Sequence, residues 1–80
     1  MAAAPLLELE FYSIKVGKTI SMLRDRRRWS QDRLAKASKI DRSTISQIEA
    51  GRNCYILTIA ALLHAMGYDW NDYQDIIETL

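Results

Sequence analysis

Residues 31–51 read QDRLAKASKIDRSTISQIEAG, and this segment predicts two short helices joined by a tight turn. Ser30 precedes the earlier helix and Asp41 the later one. Side chains of both types commonly accept a hydrogen bond from a free backbone N–H in the first helical turn. An apolar residue stands just before each cap and another stands four positions after it, which is the spacing of a hydrophobic staple. The two staples pair Trp29 with Leu34 and Ile40 with Ile45.

Apolar residues on both helices recur at positions that form one inward face, namely Leu34, Ala35, Ile40, Ile45 and Ile48. The later helix leaves a polar face outward, formed by Arg42, Ser43, Thr44, Ser46 and Gln47. These side chains carry hydrogen-bond donors and acceptors, and the base edges in the DNA major groove present a readable pattern of the same groups. The segment therefore predicts a helix that contacts bases in the major groove.

At these residues the sequence resembles the Cro/cI-type (XRE-like) helix-turn-helix family of bacterial and phage DNA-binding regulators. The matching positions lie within residues 16–68 and are Arg24, Gln31, Leu34, Ala35, Ile40, Ile45, Ser46, Ile48, Glu49, Gly51, Ile59, Leu62, Met66 and Gly67. The resemblance implies an all-α fold, a compact five-helix lambda-repressor-like DNA-binding domain. Stand-alone relatives of this size include restriction–modification controller proteins and Cro-like repressors.

Size and composition exclude several classes of protein. Eighty residues make one small domain that buries about 60–65% of its unfolded surface, so we expect help from a second subunit. An apolar content of 49% is typical of a packed domain rather than a disordered chain. No apolar run approaches the roughly 18 residues of a membrane span. The single cysteine, Cys54, excludes an internal disulfide and fits the reducing cytoplasm.

Charge is distributed unevenly along the chain, although its net charge is only +1. Residues 1–52 hold all eleven Lys and Arg side chains and six acidic ones, which gives a net charge of +5. Residues 53–80 hold four acidic side chains and no Lys or Arg, which gives −4. This asymmetry indicates that the basic half faces a polyanion. The alternative is that the acidic side chains of the last helix only form a solvated face.

The sequence divides into three segments. Residues 1–13 are an N-terminal arm or a helix extension, because Leu7–Phe11 alternates like a strand while nearby apolar positions also fit a helical period. Residues 14–68 are the helix-turn-helix domain, and residues 69–80 are a C-terminal helix. The predicted helices span residues 14–27, 31–37, 42–50 and 56–65 or 66, and the last one begins after Asp69.

The family resemblance implies roles for the exposed positions. Base edges are expected to contact Arg42, Ser43, Thr44 and Gln47. Arg42 suits guanine O6 and N7, and Gln47 suits adenine N6 and N7. The expected phosphate contacts are Gln31, Ser46, Arg52 and Asn53. Arg24 and Glu49 are expected to form a structural pair that ties the first helix to the end of the third.

Two positions depart from the family pattern, which commonly has glycine where this chain has Arg28 and Lys39. Glycine is favoured in such turns because the backbone is left-handed there, and any other residue costs about 1–2 kcal/mol. Lys39 either bears that strain or its turn has a different shape. Lys39 also places a cation beside the base-contacting helix, which makes it a further candidate phosphate contact. The fourth helix lacks the usual cap, which leaves Asn53 as the capping candidate.

The C-terminal helix carries an apolar stripe at spacings of three and four residues. This stripe and a residue before the helix form the predicted dimer contact, which comprises Tyr68, Trp70, Tyr73, Ile76, Ile77 and Leu80. The stripe has to cover the core of the other four helices, and we expect it also to contact its own copy across a two-fold axis. The alternative is that it only completes the core of the monomer.

These observations predict a repressor-like transcriptional regulator that binds double-stranded DNA sequence-specifically as a homodimer on a near-palindromic operator. The alternative is an antitoxin-type module that binds a toxin protein and autoregulates its own promoter. An enzyme is not supported, because His64 and Cys54 have no orienting carboxylate near them in the sequence. No metal-ligand cluster or phosphate loop is present either. We therefore predict no catalytic residue, metal, cofactor or membrane partner, and a cytoplasmic location.

Overall fold

Five helices follow one another in the computed structural model, which describes residues 6–78, with the side chains of residues 13–76 and 78. They are α1 (Leu6–Arg26), α2 (Gln31–Ser38), α3 (Arg42–Glu49), α4 (Ile56–Ala65) and α5 (Trp70–Glu78). No strand occurs within residues 6–78, and the predicted all-α, five-helix fold is confirmed. The predicted dimer contact Leu80 and the side chain of Ile77 lie outside the described residues.

The helix boundaries differ slightly from the predicted ones. α1 begins at Leu6 and ends at Arg26, so residues 7–11 are helical rather than extended. α2 runs one residue further than predicted, to Ser38, and α3 stops one residue earlier, at Glu49. None of the helices that the structure describes is long and apolar enough to cross a membrane.

The same hydrogen-bond pattern, a Schellman motif, ends α1, α3 and α4. At the end of α1, the backbone N–H of Trp29 donates to the carbonyl of Arg24 at 3.2 Å. The motif needs a left-handed residue just after the helix, and glycine adopts that conformation without steric cost. Gly51 serves α3 with a φ of 96°, and Gly67 serves α4 with a φ of 82°.

Two residues that are not glycine adopt the left-handed conformation. Arg28 has a φ of 57° after α1, and Lys39 has a φ of 61° after α2. Of the two alternatives at Lys39, the structure therefore has the strained backbone, which costs about 1–2 kcal/mol. The N–H of Lys39 donates to the carbonyl of Ala35 at 2.8 Å, so the strained residue closes the last turn of α2.

The predicted caps have different outcomes. Ser30 Oγ accepts from the backbone N–H of Arg33 at 3.1 Å, as predicted for an N-cap. Asp41 holds the cap position of α3, but its side chain makes no capping hydrogen bond, so that prediction is wrong. Asn53 does not cap α4 either, because the helix starts late enough that Tyr55 stands at the cap position.

Two reciprocal hydrogen bonds between Asp69 and Asp72 cap the N-terminal end of α5. The N–H of Asp72 donates to Asp69 Oδ1 at 2.8 Å, and the N–H of Asp69 donates to Asp72 Oδ2 at 3.0 Å, as in a capping box. This start orients α5 so that the ring of Tyr73 enters the core, where only 3% of the residue is exposed. The ring of Trp70 lies 5.1 Å from that of Tyr73, centroid to centroid.

The core lies where the inner faces of the five helices meet. α1 packs against α3 and α5, and α2 packs against α3 and α4. The five predicted inward positions of α2, α3 and the turn between them are buried or half-buried, which confirms the periodicity argument. The buried set is Val16, Ile20, Leu23, Leu34, Ile45, Ile48, Ile59, Leu62, Leu63, Met66 and Tyr73.

One glycine sets the distance between α1 and α3. A β-carbon added at Gly17 would lie 2.2 Å from the backbone carbonyl oxygen of Ile48 and 3.1 Å from that of Glu49. No side chain fits in that space, so Gly17 allows the middle of α1 to touch the C-terminal end of α3. The sequence carries a signal for this contact, since an isolated glycine inside a helical pattern usually has a packing reason.

Candidate nucleic-acid interface

One face of α3 is held in the core and the opposite face is exposed. Ile45 and Ile48 are at most 1% exposed, which fixes the rotation of the helix about its axis. The exposed face consists of Arg42, Ser43, Ser46 and Gln47. Thr44 was predicted to be outward but is only half-exposed, because it lies at the edge of the buried face. The exposed face offers guanidinium, hydroxyl and amide groups, which are the groups that recognise base edges.

A bidentate ion pair fixes the C-terminal end of α3 to α1. Arg24 Nε lies 2.8 Å from Glu49 Oε2, and Arg24 Nη2 lies 2.9 Å from Glu49 Oε1. Arg24 Nη1 also donates to the carbonyl of Trp29 at 2.7 Å. Gln31 Nε2 donates to Glu49 Oε1 at 3.2 Å, so the carboxylate joins α1, α2 and α3. The structure thus brings together the two residues that were expected to pair.

The protonation of this pair follows from its surroundings. Burial acts to raise the pKa of Glu49, but the hydrogen bonds from Arg24 and Gln31 and the charge of Arg24 outweigh it, so the pKa of Glu49 is lowered. The hydrogen bond to Glu49 likewise raises the pKa of Arg24, against the opposing effect of burial. Both groups are therefore charged at neutral pH, and the contact between the helices is an ion pair.

The expected phosphate contacts fall into two groups. Lys39, Ser46 and Arg52 are exposed in the structure. Gln31 is half-buried and donates to Glu49, so its amide is already part of the ion-pair network. Asn53 Oδ1 accepts from the Ser13 hydroxyl, which connects the segment after α3 to α1. Both amides therefore already have a hydrogen-bond partner within the chain.

Base-contacting and phosphate-contacting candidates meet at the C-terminal end of α3. Gln47, Arg52 and Asn53 line one open concavity of about 410 Å³, together with Gly51. The left-handed Gly51 turns the chain there and brings Arg52 back beside Gln47. The concavity therefore presents an amide and a guanidinium side by side, a pairing suited to a base edge and its adjoining phosphate.

Two arginines outside the predicted set stack on aromatic rings. The guanidinium carbon of Arg33 lies 4.9 Å from the ring centroid of Trp29, and that of Arg27 lies 5.2 Å from the ring of Tyr68. Cation–π contacts of this kind hold the long side chains against the surface. Arg33 lies in the first turn of α2, next to the cap Ser30, so its charge adds to the positive N-terminal end of that helix.

The sequence argument also missed an ion pair between the two helices of the helix-turn-helix. Arg42 Nε, at the start of α3, lies 3.5 Å from Asp32 Oδ1, in the first turn of α2. Both side chains are 64% exposed. The residues are ten positions apart on different helices, and no local pattern of the sequence signals that they meet.

The predicted dimer contact is corrected in part. Tyr73 is buried within a single chain, so its ring completes the core and offers no surface to a second subunit. Tyr68 and Ile76 are half-buried and pack against the same core. Of the described side chains in the predicted stripe, Trp70 alone stays substantially exposed, at 40%. Tyr68, Tyr73 and Ile76 thus serve the core of the monomer, and a dimer contact at Trp70 stays a prediction.

Exposed apolar surface is concentrated instead at the start of α4. Tyr55, Ile56 and Leu57 are 85%, 64% and 79% exposed. Ile56 and Trp70 line a common cleft of about 200 Å³, which connects the start of α4 with the start of α5. We call Tyr55, Ile56, Leu57 and Trp70 the α4 patch.

The remaining candidates for chemistry are isolated. Within the residues that the structure describes, no group of three or more His, Cys, Asp or Glu side chains is placed to hold a metal ion. Cys54 is half-buried, and burial raises the pKa of its thiol. A raised pKa disfavours the reactive thiolate. His64 is exposed on α4.

The comparisons with known proteins agree with this geometry. A model of the helix-turn-helix domain family matches residues 16–69. No curated protein matches the sequence significantly. Three solved structures of the restriction-modification controller protein C.Esp1396I are similar to the fold, each with 26% sequence identity and a TM-score of 0.82 over 86% of this chain. They are the tetramer in complex with its natural 35-base-pair operator (92% of that chain covered), the wild-type protein (91%) and a point mutant (89%).

Proposed function

The chain belongs to the helix-turn-helix domain family, and from this premise we propose that it is a transcriptional regulator that binds a near-palindromic operator sequence-specifically as a homodimer. The observation that carries the proposal is the exposed polar face of α3, held in place by two buried isoleucines and by the Arg24–Glu49 pair. A helix fixed in rotation and position can present the same side chains to every base pair that it meets, which specific recognition requires.

Base recognition is assigned to the exposed residues of α3. Arg42 donates to guanine O6 and N7, and Gln47 forms a bidentate contact with adenine N6 and N7. Ser43 and the half-exposed Thr44 make adaptable contacts, since a hydroxyl both donates and accepts. Each good bidentate pair discriminates against the wrong base by about 1–3 kcal/mol.

Contacts with phosphates position the protein on the duplex. Lys39 and Arg52 flank α3 and supply the charge, and Ser46 supplies a neutral donor between them. Gln31 stands at the N-terminal end of α2, where free backbone N–H groups attract a phosphate. Asn53 contributes through its amide nitrogen, because its oxygen accepts from Ser13. These contacts set affinity and its salt dependence rather than base preference.

A second copy of the chain is proposed to cover the α4 patch. Large apolar side chains that lie together on a surface usually mark an interaction site, and a domain of this size is marginally stable alone. A two-fold dimer places two recognition helices in successive major grooves, about 34 Å apart. The controller protein with the similar fold is a tetramer on its operator, which supports self-association here.

The likeness to a controller protein favours a regulator over the antitoxin alternative. A regulator of this kind responds to its own concentration and to the occupancy of its site, and it acts in the cytoplasm, where its DNA lies. The proposal predicts that selection from a pool of random duplexes, at a fixed salt concentration, yields one motif with two half-sites about 10 base pairs apart. Weak binding that disappears at moderate salt and ignores sequence would falsify it.

Two substitutions separate base recognition from phosphate binding. Arg42→Ala is expected to cost about 1–3 kcal/mol of binding free energy and to relax the preference at one base pair. Lys39→Ala is expected to weaken binding to all sequences alike and to lower the salt slope by about 1. The measurement is titration with the selected duplex and with a set of single-base variants. Equal losses with no change in preferred base would contradict both assignments.

A further inference from the structure

We propose that Asp32 is a positioning residue that directs the guanidinium of Arg42 toward the bases and thereby sets the sequence selectivity of α3. The inference rests on the proposed function, because it concerns how the recognition helix achieves selectivity. It assigns a role to an acidic side chain on a helix whose other exposed charged residues, Arg33 and Lys36, are cations.

The geometry ties the longest side chain of the recognition face to the neighbouring helix. Arg42 is the first residue of α3, where a long side chain has no preceding helical turn to lie against. Asp32 approaches it from the first turn of α2, with its Oδ1 3.5 Å from Arg42 Nε. α2 and α3 pack directly on each other, so the two side chains start from fixed backbones.

The contact with Asp32 leaves the N–H donors of the guanidinium available to a base, because it is an ion pair at 3.5 Å and not a hydrogen bond. A guanidinium presents five N–H donors in a planar fork, and the contact with Asp32 uses the Nε side. Among the described residues, Arg42 forms an ion pair with Asp32 alone, and its guanidinium makes no hydrogen bond within the chain. Its Nη1 and Nη2 nitrogens form the end of the fork, and an end-on pair of donors matches guanine O6 and N7.

The contact is weak in water and gains strength at the site. An ion pair between side chains that are 64% exposed contributes little to folding stability, so stability does not explain its presence. When DNA displaces water from the groove, the lower local dielectric strengthens the same contact. Asp32 thus contributes to the orientation of Arg42 at the moment of base contact.

Asp32 also lowers affinity for DNA in general. Its negative charge lies on the side of the molecule that is proposed to face phosphates, and it repels every duplex alike. Its benefit is confined to duplexes with guanine opposite Arg42. Because Asp32 repels all duplexes but orients Arg42 only toward guanine, it lowers the affinity for non-specific DNA more than the affinity for the operator. The ratio of specific to non-specific affinity therefore rises.

The test compares Asp32→Ala with Asp41→Ala, which serves as the matched control. Asp41 is an exposed acidic residue just before Arg42, and its side chain makes no capping bond, so both substitutions remove one negative charge beside α3. Both variants are expected to bind a scrambled duplex more tightly. Only Asp32→Ala is expected to reduce discrimination at the base pair read by Arg42, by about 2- to 12-fold, the cost of immobilising one long side chain.

Two further variants complete the experiment. Asp32→Glu keeps the carboxylate within reach of Arg42, so we expect it to retain most of the discrimination. In an Arg42→Ala background, Asp32→Ala is expected to have no effect on base preference. Unchanged discrimination in Asp32→Ala, or the same loss in Asp41→Ala, overturns the inference while leaving sequence-specific binding intact. Failure of the wild-type chain to bind any duplex specifically would instead reject the proposed function.

Discussion

Arg28 stands at a position where the backbone favours glycine, with a φ of 57°. The β-carbon of a left-handed residue crowds the following carbonyl, which costs about 1–2 kcal/mol. The conformation persists because the Schellman hydrogen bonds at the end of α1 require it: the N–H of Arg28 donates to the carbonyl of Asp25 at 2.9 Å. Arginine at this position therefore lowers the stability of the fold relative to glycine and places a cation at the junction between α1 and α2.

Arg28→Gly is expected to raise the free energy of unfolding by about 0.5–1 kcal/mol. Relief of the left-handed strain exceeds the extra backbone entropy that glycine brings to the unfolded chain. Urea denaturation at neutral pH measures the change. Arg28→Ala is the control, because it removes the same charge but keeps the β-carbon, and it should give no stabilisation. If both variants were stabilised equally, the removal of charge repulsion rather than the relief of backbone strain would explain the stabilisation.

Glu49→Gln is expected to lower the free energy of unfolding by about 3 kcal/mol at neutral pH, because it leaves Arg24 in a largely buried site without its charged partner. The folded pKa of Glu49 lies below its ordinary value of about 4.5. The contribution of the carboxylate is therefore fully present above that value and is lost as the pH falls through the lower folded pKa.

The variant should accordingly show a smaller loss of stability between pH 5 and pH 3 than the wild-type chain, as followed by urea denaturation at each pH. Glu78→Gln is the control, since Glu78 is exposed on α5. It should keep the acid dependence of the wild-type chain. If Glu49→Gln lost as much stability between pH 5 and pH 3 as the wild-type chain does, carboxylates other than Glu49 would govern acid unfolding.

At the scale of helices, the position of α3 is determined by α1 rather than by α2 alone. Three contacts hold it from that side: the close approach at Gly17, the Arg24–Glu49 pair and the burial of Ile48. The turn between α2 and α3 sets the angle of the helix-turn-helix, and α1 sets how far α3 stands out from the core. Contacts that face away from the proposed DNA surface thus determine where the exposed face of α3 lies.

Gly17→Ala is expected to lower the free energy of unfolding by about 1–3 kcal/mol, because its β-carbon would overlap the backbone carbonyl of Ile48. Helix propensity alone predicts the opposite sign, a gain of about 1 kcal/mol. The sign of the change, measured by urea denaturation, therefore decides between packing and propensity. Lys18→Ala, on the exposed face of α1, should change stability by less than about 0.5 kcal/mol.

At the scale of the whole molecule, two surfaces of different character follow one another along the chain. The exposed face of α3 is polar and flanked by cations, whereas the α4 patch is apolar. Arg52 and Asn53 lie in the segment that joins them, and both line the cleft of the patch. If a second copy covers the patch as proposed, it lies beside two proposed phosphate contacts, and we therefore expect self-association and DNA binding to be coupled.

Leu57→Glu is expected to shift the chain from dimer to monomer in sedimentation equilibrium without DNA, because it places a charge within the apolar α4 patch. The helical circular dichroism should be retained, since Leu57 is 79% exposed and contributes little to the core. Lys36→Glu, on an exposed position of α2, is the control and should leave the mass unchanged. A wild-type mass for Leu57→Glu would remove the patch from the interface.

The helices, their order and most of the core followed from the sequence because they depend on neighbours close in the chain. Periodicity identified the inward residues of α2 and α3, and Ser30 and Asp69 marked two helix starts correctly. Asp41 and Asn53 were misjudged, since the type of a residue shows that it can cap a helix but not which way its side chain turns. The assignment of base and phosphate contacts remains a prediction.

Contacts between residues distant in the chain were decided only by the packing of the five helices. The burial of Tyr73, the exposure of Leu57 and the meeting of Asp32 with Arg42 all depend on how one helix is rotated against another. A helical period gives the direction of an apolar stripe, but it does not give its width or the element that covers it. For that reason the sequence determined which helix presents the polar face, and the tertiary structure determined what holds that face in place.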